Sequence, residues 1–105
     1  MTQDNTTQAM LILIVPPKLE EPLVDILLQQ TTISGFTTSP VSGHGTSHGA
    51  GTVQLNLIEQ VTGRQKRVQI MTHGAVEDLR VLAKQLKTKF ANTDIHYILM
   101  PLLAL

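Results

Sequence analysis

Residues 42–68 read SGHGTSHGAGTVQLNLIEQVTGRQKRV, a stretch that opens with glycines and histidines and closes with three cationic side chains. Glycine has no Cβ, so the backbone there adopts conformations that other residues avoid. Residues typical of packed strands and helices flank the stretch on both sides. The pattern predicts a long, mobile binding loop between two halves of a folded domain.

The half of the chain before this loop predicts a strand, a helix and a second strand. Residues 10–15 (MLILIV) are continuously apolar, which favours a central strand. In residues 18–30 apolar side chains recur at steps of three and four, as in a helix with one buried face, and Pro22 fits only in its first turn. Residues 36–42 favour a strand, which Pro40 places at a sheet edge or at a bulge because proline donates no ladder hydrogen bond. The predicted buried stripe of the helix contains Leu19, Leu23, Ile26 and Leu27, and is widened by Val24 and Leu28.

The half after the loop predicts the same three elements. Residues 67–72 alternate in polarity, which favours a strand. Residues 74–90 have the strongest helical periodicity, and either Thr72 or His73 is expected to cap that helix. A last strand is predicted for residues 95–100 (IHYILM), and Pro101 should break it. Inside the loop, residues 53–61 fit both a strand and a short helical turn.

The order of these elements predicts an α+β fold of the ferredoxin-like type, βαββαβ. Such a fold has a four-stranded antiparallel sheet with two helices on one face, and here a long loop joins strands 2 and 3. Residues 1–9 predict a flexible tail and residues 10–105 a single domain. Strands this apolar, followed by Leu102, Leu103 and Leu105, predict that other copies of the chain cover the second sheet face.

The composition of the 105 residues excludes several classes of function. A formal net charge of zero argues against general nucleic-acid binding, and the absence of cysteine excludes disulfides and thiolate metal sites. No apolar run is long enough to insert into a membrane, and Pro16 ends residues 10–15 before they form a signal-peptide core. No catalytic constellation can be assembled. We therefore expect a cytoplasmic protein that is not an enzyme.

Three motifs resemble the PII-like superfamily, which includes the PII nitrogen-regulatory proteins and the CutA proteins. The motifs are GFT at residues 35–37, VSGHG at residues 41–45 and EQVTGRQKRV at residues 59–68. The chain looks most like a small, uncharacterised PII-like family. The resemblance implies a homotrimer in which the loop, about residues 43–66, corresponds to the PII T-loop. That loop contacts a protein partner and responds to a ligand in the cleft between subunits.

Two features of the chain depart from the PII pattern. Residues 89–94 contain no glycine, although PII proteins have a second glycine-rich phosphate loop there. The loop also lacks the tyrosine that is modified in PII proteins, since Tyr97 is the single tyrosine and falls in the last predicted strand. The cofactor is therefore open: an adenine nucleotide, another small anion or a divalent metal.

Five residues in and beside the loop are candidates for binding an anion. Gly43 and Gly45 would let backbone N–H groups approach a phosphate. Arg64, Lys66 and Arg67 would clamp a phosphate or a carboxylate. An ordinary charged edge strand explains the three cations equally well.

His44 and His48 are the candidate metal ligands, because neutral imidazole binds zinc, copper and nickel. The simpler interpretation is two solvated loop histidines, and we expect structural roles for His73 and His96. The leading hypothesis is a PII-like trimeric signalling protein that binds a small ligand between subunits and a protein partner through its loop. The alternative is a metal-binding module in metal homeostasis that uses the loop histidines.

Overall fold

The computed structural model describes residues 7–44, 64–103 and 105. Their strands and helices follow the predicted order. In sequence they are β1 (Gln8–Val15), a 3₁₀ turn (Pro17–Leu19), α1 (Glu20–Leu28), β2 (Phe36–His44), β3 (Arg64–Ala75), α2 (Val76–Lys89) and β4 (His96–Pro101).

The four strands form one sheet in the order β2-β3-β1-β4, and each neighbouring pair is antiparallel. The continuously apolar strand β1 lies inside the sheet, between β3 and β4. Strands β2 and β4 are the two edges of the sheet. This arrangement confirms the predicted ferredoxin-like α+β fold, with both helices against the same face.

The two faces of the sheet differ in what covers them. Successive side chains of a strand point to opposite faces. On the face that we call the helix side, β1 buries Ala9, Leu11, Leu13 and Val15 against the two helices. On the opposite face, which we call the open face, Met10, Ile12 and Ile14 remain partly exposed. The continuous apolar run thus arises because both faces of β1 carry apolar side chains, although the described chain covers only one.

Each helix buries a narrow stripe of leucines on the helix side. Leu23 and Leu27 of α1 and Leu79, Leu82 and Leu86 of α2 form that contact with the sheet.

The helices match the prediction in one detail and differ from it in two. The prediction that Leu28 widens the stripe of α1 is wrong, because this side chain is 69% exposed. Pro22 does lie in the first turn of α1, as predicted. Strand β3 runs on to Ala75, so α2 begins at Val76, and neither Thr72 nor His73 caps it.

The prolines in β2 and β4 cost the sheet no hydrogen bond. The N–H of Val76 donates to the carbonyl of Thr7 at 2.7 Å, and the N–H of Leu102 donates to the carbonyl of Gln8 at 3.0 Å. In a pair of antiparallel strands, hydrogen-bonded residue pairs alternate with non-hydrogen-bonded ones. These two bonds therefore fix which of its neighbouring strands the N–H and C=O groups of each residue point toward. The alternation directs the nitrogen of Pro40 away from β3 and that of Pro101 away from β1. Pro101 is therefore the last residue of β4 rather than a break before its end.

The predicted boundaries shift at both ends of the described segments. Strand β1 begins two residues earlier than expected, because Gln8 and Ala9 pair with β3 and so do not belong to a tail. Residues 1–6 of the predicted tail, and the strand or helical turn predicted for residues 53–61, lie outside the described residues. Neither described helix combines the length and the apolarity that crossing a bilayer requires.

Candidate functional site

The end of β2 and the start of β3 form a two-stranded stem on either side of residues 45–63. Its cross-strand pairs are Val41 with Arg67, Ser42 with Lys66, Gly43 with Gln65 and His44 with Arg64. Four of the five predicted anion-binding residues therefore lie within four consecutive pairs. Gly45, the fifth, and His48 lie outside the described residues.

The stem divides these residues between the two faces of the sheet. Arg64, Lys66 and their partners His44 and Ser42 continue the helix-side row of β3, whereas Gly43 and Arg67 belong to the open face. Lys66 and Arg67 are adjacent in sequence and hence project in opposite directions. The two side chains therefore leave the strand on different faces, although both residues contribute to the lining of one cavity at the stem.

A cavity of about 450 Å³ lies beside the stem, between the 3₁₀ turn and β2. It is lined by Pro17, Pro40, Val41, Ser42, Lys66, Arg67 and Val68. The ladder alternation directs the N–H of Ser42 to the outer edge of β2, where no other described strand pairs with it. One ammonium group, one hydroxyl and one outward N–H beside two prolines suit a small anion that also has an apolar part.

Arg67 has a different place from the one expected of a ligand clamp. Its side chain is 6% exposed, and Nη2 lies 3.1 Å from Oδ2 of Asp94, which is 5% exposed. Nη1 donates to the carbonyl of Lys66 at 2.8 Å, and Nη2 also donates to Oε1 of Gln65. His96 stands on the other side of the carboxylate, with Nε2 3.7 Å from Oδ1 of Asp94. This buried network joins the start of β3 to the start of β4 at the base of the stem.

Gly43 contacts this network without being required by it. A Cβ at position 43 would lie 3.6 Å from Cγ of Arg67 and 3.7 Å from the carbonyl oxygen of Gln65, both ordinary contacts. The ladder alternation also directs the N–H of Gly43 toward Gln65, so the donors at the outer edge belong to Ser42 and His44. Packing among the described residues therefore gives no reason for glycine at this position.

His44, the described member of the predicted metal pair, is exposed at the end of β2 opposite Arg64. A neighbouring guanidinium disfavours a bound cation. Within residues 7–44, 64–103 and 105, no three histidine, aspartate or glutamate side chains lie close enough together to hold a metal ion.

A second cavity, of about 330 Å³, lies between α2 and the edge strand β4. Arg80, Lys84 and Lys87 of α2 line it above the apolar side chains of Leu11, Ala83 and Leu99. The Nζ of Lys87 is 5.2 Å from the ring centroid of Tyr97, a cation–π distance. Burial raises the pKa of the Tyr97 hydroxyl, so it stays neutral around pH 7. The fold thus places a basic face of α2 over β4.

Ser42, Pro17 and Asp94 were not anticipated as site residues. Ser42 adjoins the predicted Gly43, so its position in the motif was a usable signal. Asp94 is separated from Arg67 by 27 residues and lies in a polar turn, where aspartate is common because its side chain can hydrogen-bond the backbone of the turn.

The fold resembles those of two solved proteins. A DUF3240 family protein from Shewanella baltica OS155 superimposes with a TM-score of 0.71 and 18% identity, over 91% of this chain and 90% of that one. CutA from Synechococcus elongatus PCC7942 superimposes with a TM-score of 0.67 and 13% identity, over 93% of this chain and 79% of that one. At these identities the similarity shows a shared fold, and it confirms the expected likeness to CutA at that level.

The family itself is shown by sequence. No curated protein matches the chain. A family model described as a protein of unknown function, DUF3240, matches residues 5–105, which is nearly the whole chain. The chain therefore belongs to the DUF3240 family.

Proposed function

We propose that this protein is a PII-like regulator that assembles from copies of itself, most simply as a trimer. It binds a small anionic ligand, with an adenine nucleotide as the first candidate, in the stem cavity. It binds a protein partner through residues 45–63. This is a binding and signalling role rather than catalysis.

One observation carries the proposal: the stem presents a cation, a hydroxyl and an outward N–H around a cavity of about 450 Å³ at the base of residues 45–63. A ligand there lies against Ser42 and Lys66, each three residues from an end of that segment. Ligand binding would thus bias the conformation of the segment, which is how a small molecule controls a protein contact. Gly43 adjoins Ser42 but faces the other side of the sheet, and contacts among the described residues do not require a glycine there, so close approach by a protein partner would give a reason for it.

The Arg67–Asp94 pair has a supporting role in this mechanism. It holds the base of the stem to the start of β4. Movement of residues 45–63 on binding would therefore pivot about a fixed end of the hairpin.

The ligand prediction is tested by adding ATP, ADP and inorganic phosphate separately to the purified protein and following thermal unfolding. We expect an adenine nucleotide to raise the midpoint, because a ligand at about 100 times its Kd stabilises the folded state by about 2.7 kcal/mol. Lys66→Ala should remove most of that shift. Lys87→Ala, which deletes a cation from the α2–β4 cavity instead, should leave it unchanged.

Two results would count against the stem site. If the rise in the unfolding midpoint persists in Lys66→Ala and is lost in Lys87→Ala, the ligand binds in the cavity between α2 and β4 instead. If neither a nucleotide nor phosphate raises the unfolding midpoint, the proposal of anion binding is wrong. Binding of a protein partner would then be the remaining function proposed for the stem.

Self-assembly is proposed because the open face carries apolar side chains that the described chain leaves exposed. Ile98 is 43% exposed there, and it lies in one cross-strand row with Ile12 and Met71. Leu103 and Leu105 beyond β4 are also exposed. Burying apolar side chains of this size stabilises an assembly by about 1.5–3 kcal/mol for each.

The assembly prediction is tested by light scattering at micromolar concentration. We expect the parent protein to have about three times the subunit mass of 11.5 kDa. Ile98→Lys should shift the mass toward a single subunit, because an ammonium group cannot be buried unpaired at an apolar interface. Val81→Lys is the matched control, since Val81 is 56% exposed on α2, away from the open face. A parent mass of one subunit would refute assembly, and an Ile98→Lys variant with the parent's mass would refute this interface.

A further inference from the structure

Methionine is distributed unevenly in this fold. The sequence has four methionines, and the three that the structure describes, Met10, Met71 and Met100, all lie on the open face. Met10 pairs with Met100 on β4 and with His73 on β3. His73, Met10 and Met100 therefore form one row across three neighbouring strands. We call these three residues the His–Met row.

The ladder geometry brings the three side chains within reach of one small ion. Met10 and His73 form a non-hydrogen-bonded pair of the ladder, in which the two Cα atoms are typically about 4.5 Å apart. Met10 and Met100 form a hydrogen-bonded pair, in which that distance is typically about 5.5 Å. Directly opposite residues project from the same face. In the single subunit His73 and Met100 are exposed and Met10 is partly exposed. The row lies close to the start of β1 and the end of β4, so the proposal places it at the rim of the face through which copies assemble, where an ion can still enter.

The chemistry of the row selects a particular class of ion. Thioether sulfur is a soft ligand that favours Cu(I), and imidazole also binds copper. Among the described residues, the row is flanked on this face by Ile12, Met71 and Ile98 on one side and by Gln8 and Ala75 on the other, and no carboxylate pairs with the row. Hard divalent cations, which prefer oxygen ligands, are therefore disfavoured there.

We propose that His73, Met10 and Met100 form a binding site for a soft monovalent cation, Cu(I) or Ag(I). The ligands are Sδ of the two methionines and one imidazole nitrogen of His73. The site is separate from the stem and independent of the anion proposed there. It also differs from a metal site at His44 and His48, because it uses ligands of the rigid sheet.

The obvious alternative explanation is that methionine only fills an apolar interface, where its flexible side chain adapts to another copy of the chain. Met71 distinguishes the two explanations. It lies on the same face in the neighbouring row, opposite Ile12, but has no histidine or second methionine directly across from it on β1. A packing role applies to all three methionines, whereas a ligand role applies only to Met10 and Met100.

The experiment is an anaerobic titration of the full chain with Cu(I), in competition with the coloured chelator bicinchoninate. We expect one Cu(I) per subunit in the parent protein. Met10→Leu/Met100→Leu should weaken Cu(I) by more than about 100-fold, since even outer partners of metal ligands contribute 10–100-fold. His73→Gln should weaken it by at least about 10-fold on the same basis. Met71→Leu should bind as the parent does.

Leucine replaces methionine with little change of volume, so these variants should fold and assemble normally. Circular dichroism and light scattering check this independently of metal. The site is refuted if the Met10→Leu/Met100→Leu variant keeps the parent's affinity, or if Met71→Leu lowers affinity equally. Loss of Cu(I) binding in His44→Ala/His48→Ala, with binding intact in the two leucine variants, would refute it as well and assign the metal to the loop histidines.

Discussion

Replacing Asp94 with alanine is expected to lower the free energy of unfolding by about 3–5 kcal/mol, the cost of removing one partner from a buried ion pair. The guanidinium of Arg67 is 6% exposed and would remain at the base of the stem without its carboxylate. Its bonds to Gln65 and to the carbonyl of Lys66 are local and do not neutralise the charge. Urea unfolding of parent and variant at equal protein concentration measures the difference.

Glu77→Ala is the matched control for this prediction. Glu77 pairs with Arg80 at 3.5 Å on the exposed face of α2, where an ion pair contributes about 0–1 kcal/mol. If Asp94→Ala and Glu77→Ala destabilise the protein equally, burial of the Arg67–Asp94 pair is not what makes it important. Replacing both buried partners, as Arg67→Met/Asp94→Leu, should restore most of the lost stability because no unpaired charge is left.

Leu27→Ala is expected to cost about 2–5 kcal/mol, the usual range for removing a buried leucine from a close-packed core. Leu27 is 2% exposed and packs against the helix side of the sheet. Its neighbour Leu28 is 69% exposed. Leu28→Ala should therefore change stability by less than about 0.5 kcal/mol, as at other surface positions.

The Leu27 and Leu28 pair tests the orientation of α1 directly. The two substitutions remove the same atoms from adjacent residues of one helix, so helix propensity and side-chain chemistry are matched. If both substitutions lower the free energy of unfolding by similar amounts, then either α1 is rotated relative to the orientation that buries Leu27 or an assembled copy of the chain covers Leu28. The second explanation predicts that the Leu28→Ala effect grows with protein concentration.

Most of the fold was readable from local patterns. The apolar run at residues 10–15 and the spacing of leucines in residues 18–30 and 74–90 predicted the central strand and both helices, all of which are confirmed. Pro40 predicted an edge strand or a bulge, and β2 is an edge strand. The errors lie at element ends: the last turn of a helix and the first pairs of a strand depend on neighbours that local periodicity does not contain.

The candidate site was predictable as a region and not as a geometry. Glycines and cations near the loop identified the stem, and the register does bring Gly43 and Lys66 close together. The assignment of Lys66 and Arg67 to one clamp did not anticipate that adjacent strand residues face opposite ways. No local signal paired Arg67 with Asp94.

The amino-acid sequence alone determined the ferredoxin-like order of elements, because strand and helix periods are set by the backbone and appear in any short window. Tertiary structure decided which side chains meet. The register of β2 on β3 sets Ser42 opposite Lys66 beside the stem cavity, and that of β1 with its two neighbours aligns His73, Met10 and Met100 in one row. Register is a relation between distant segments, and shifting it by one residue moves every side chain of a strand to the other face.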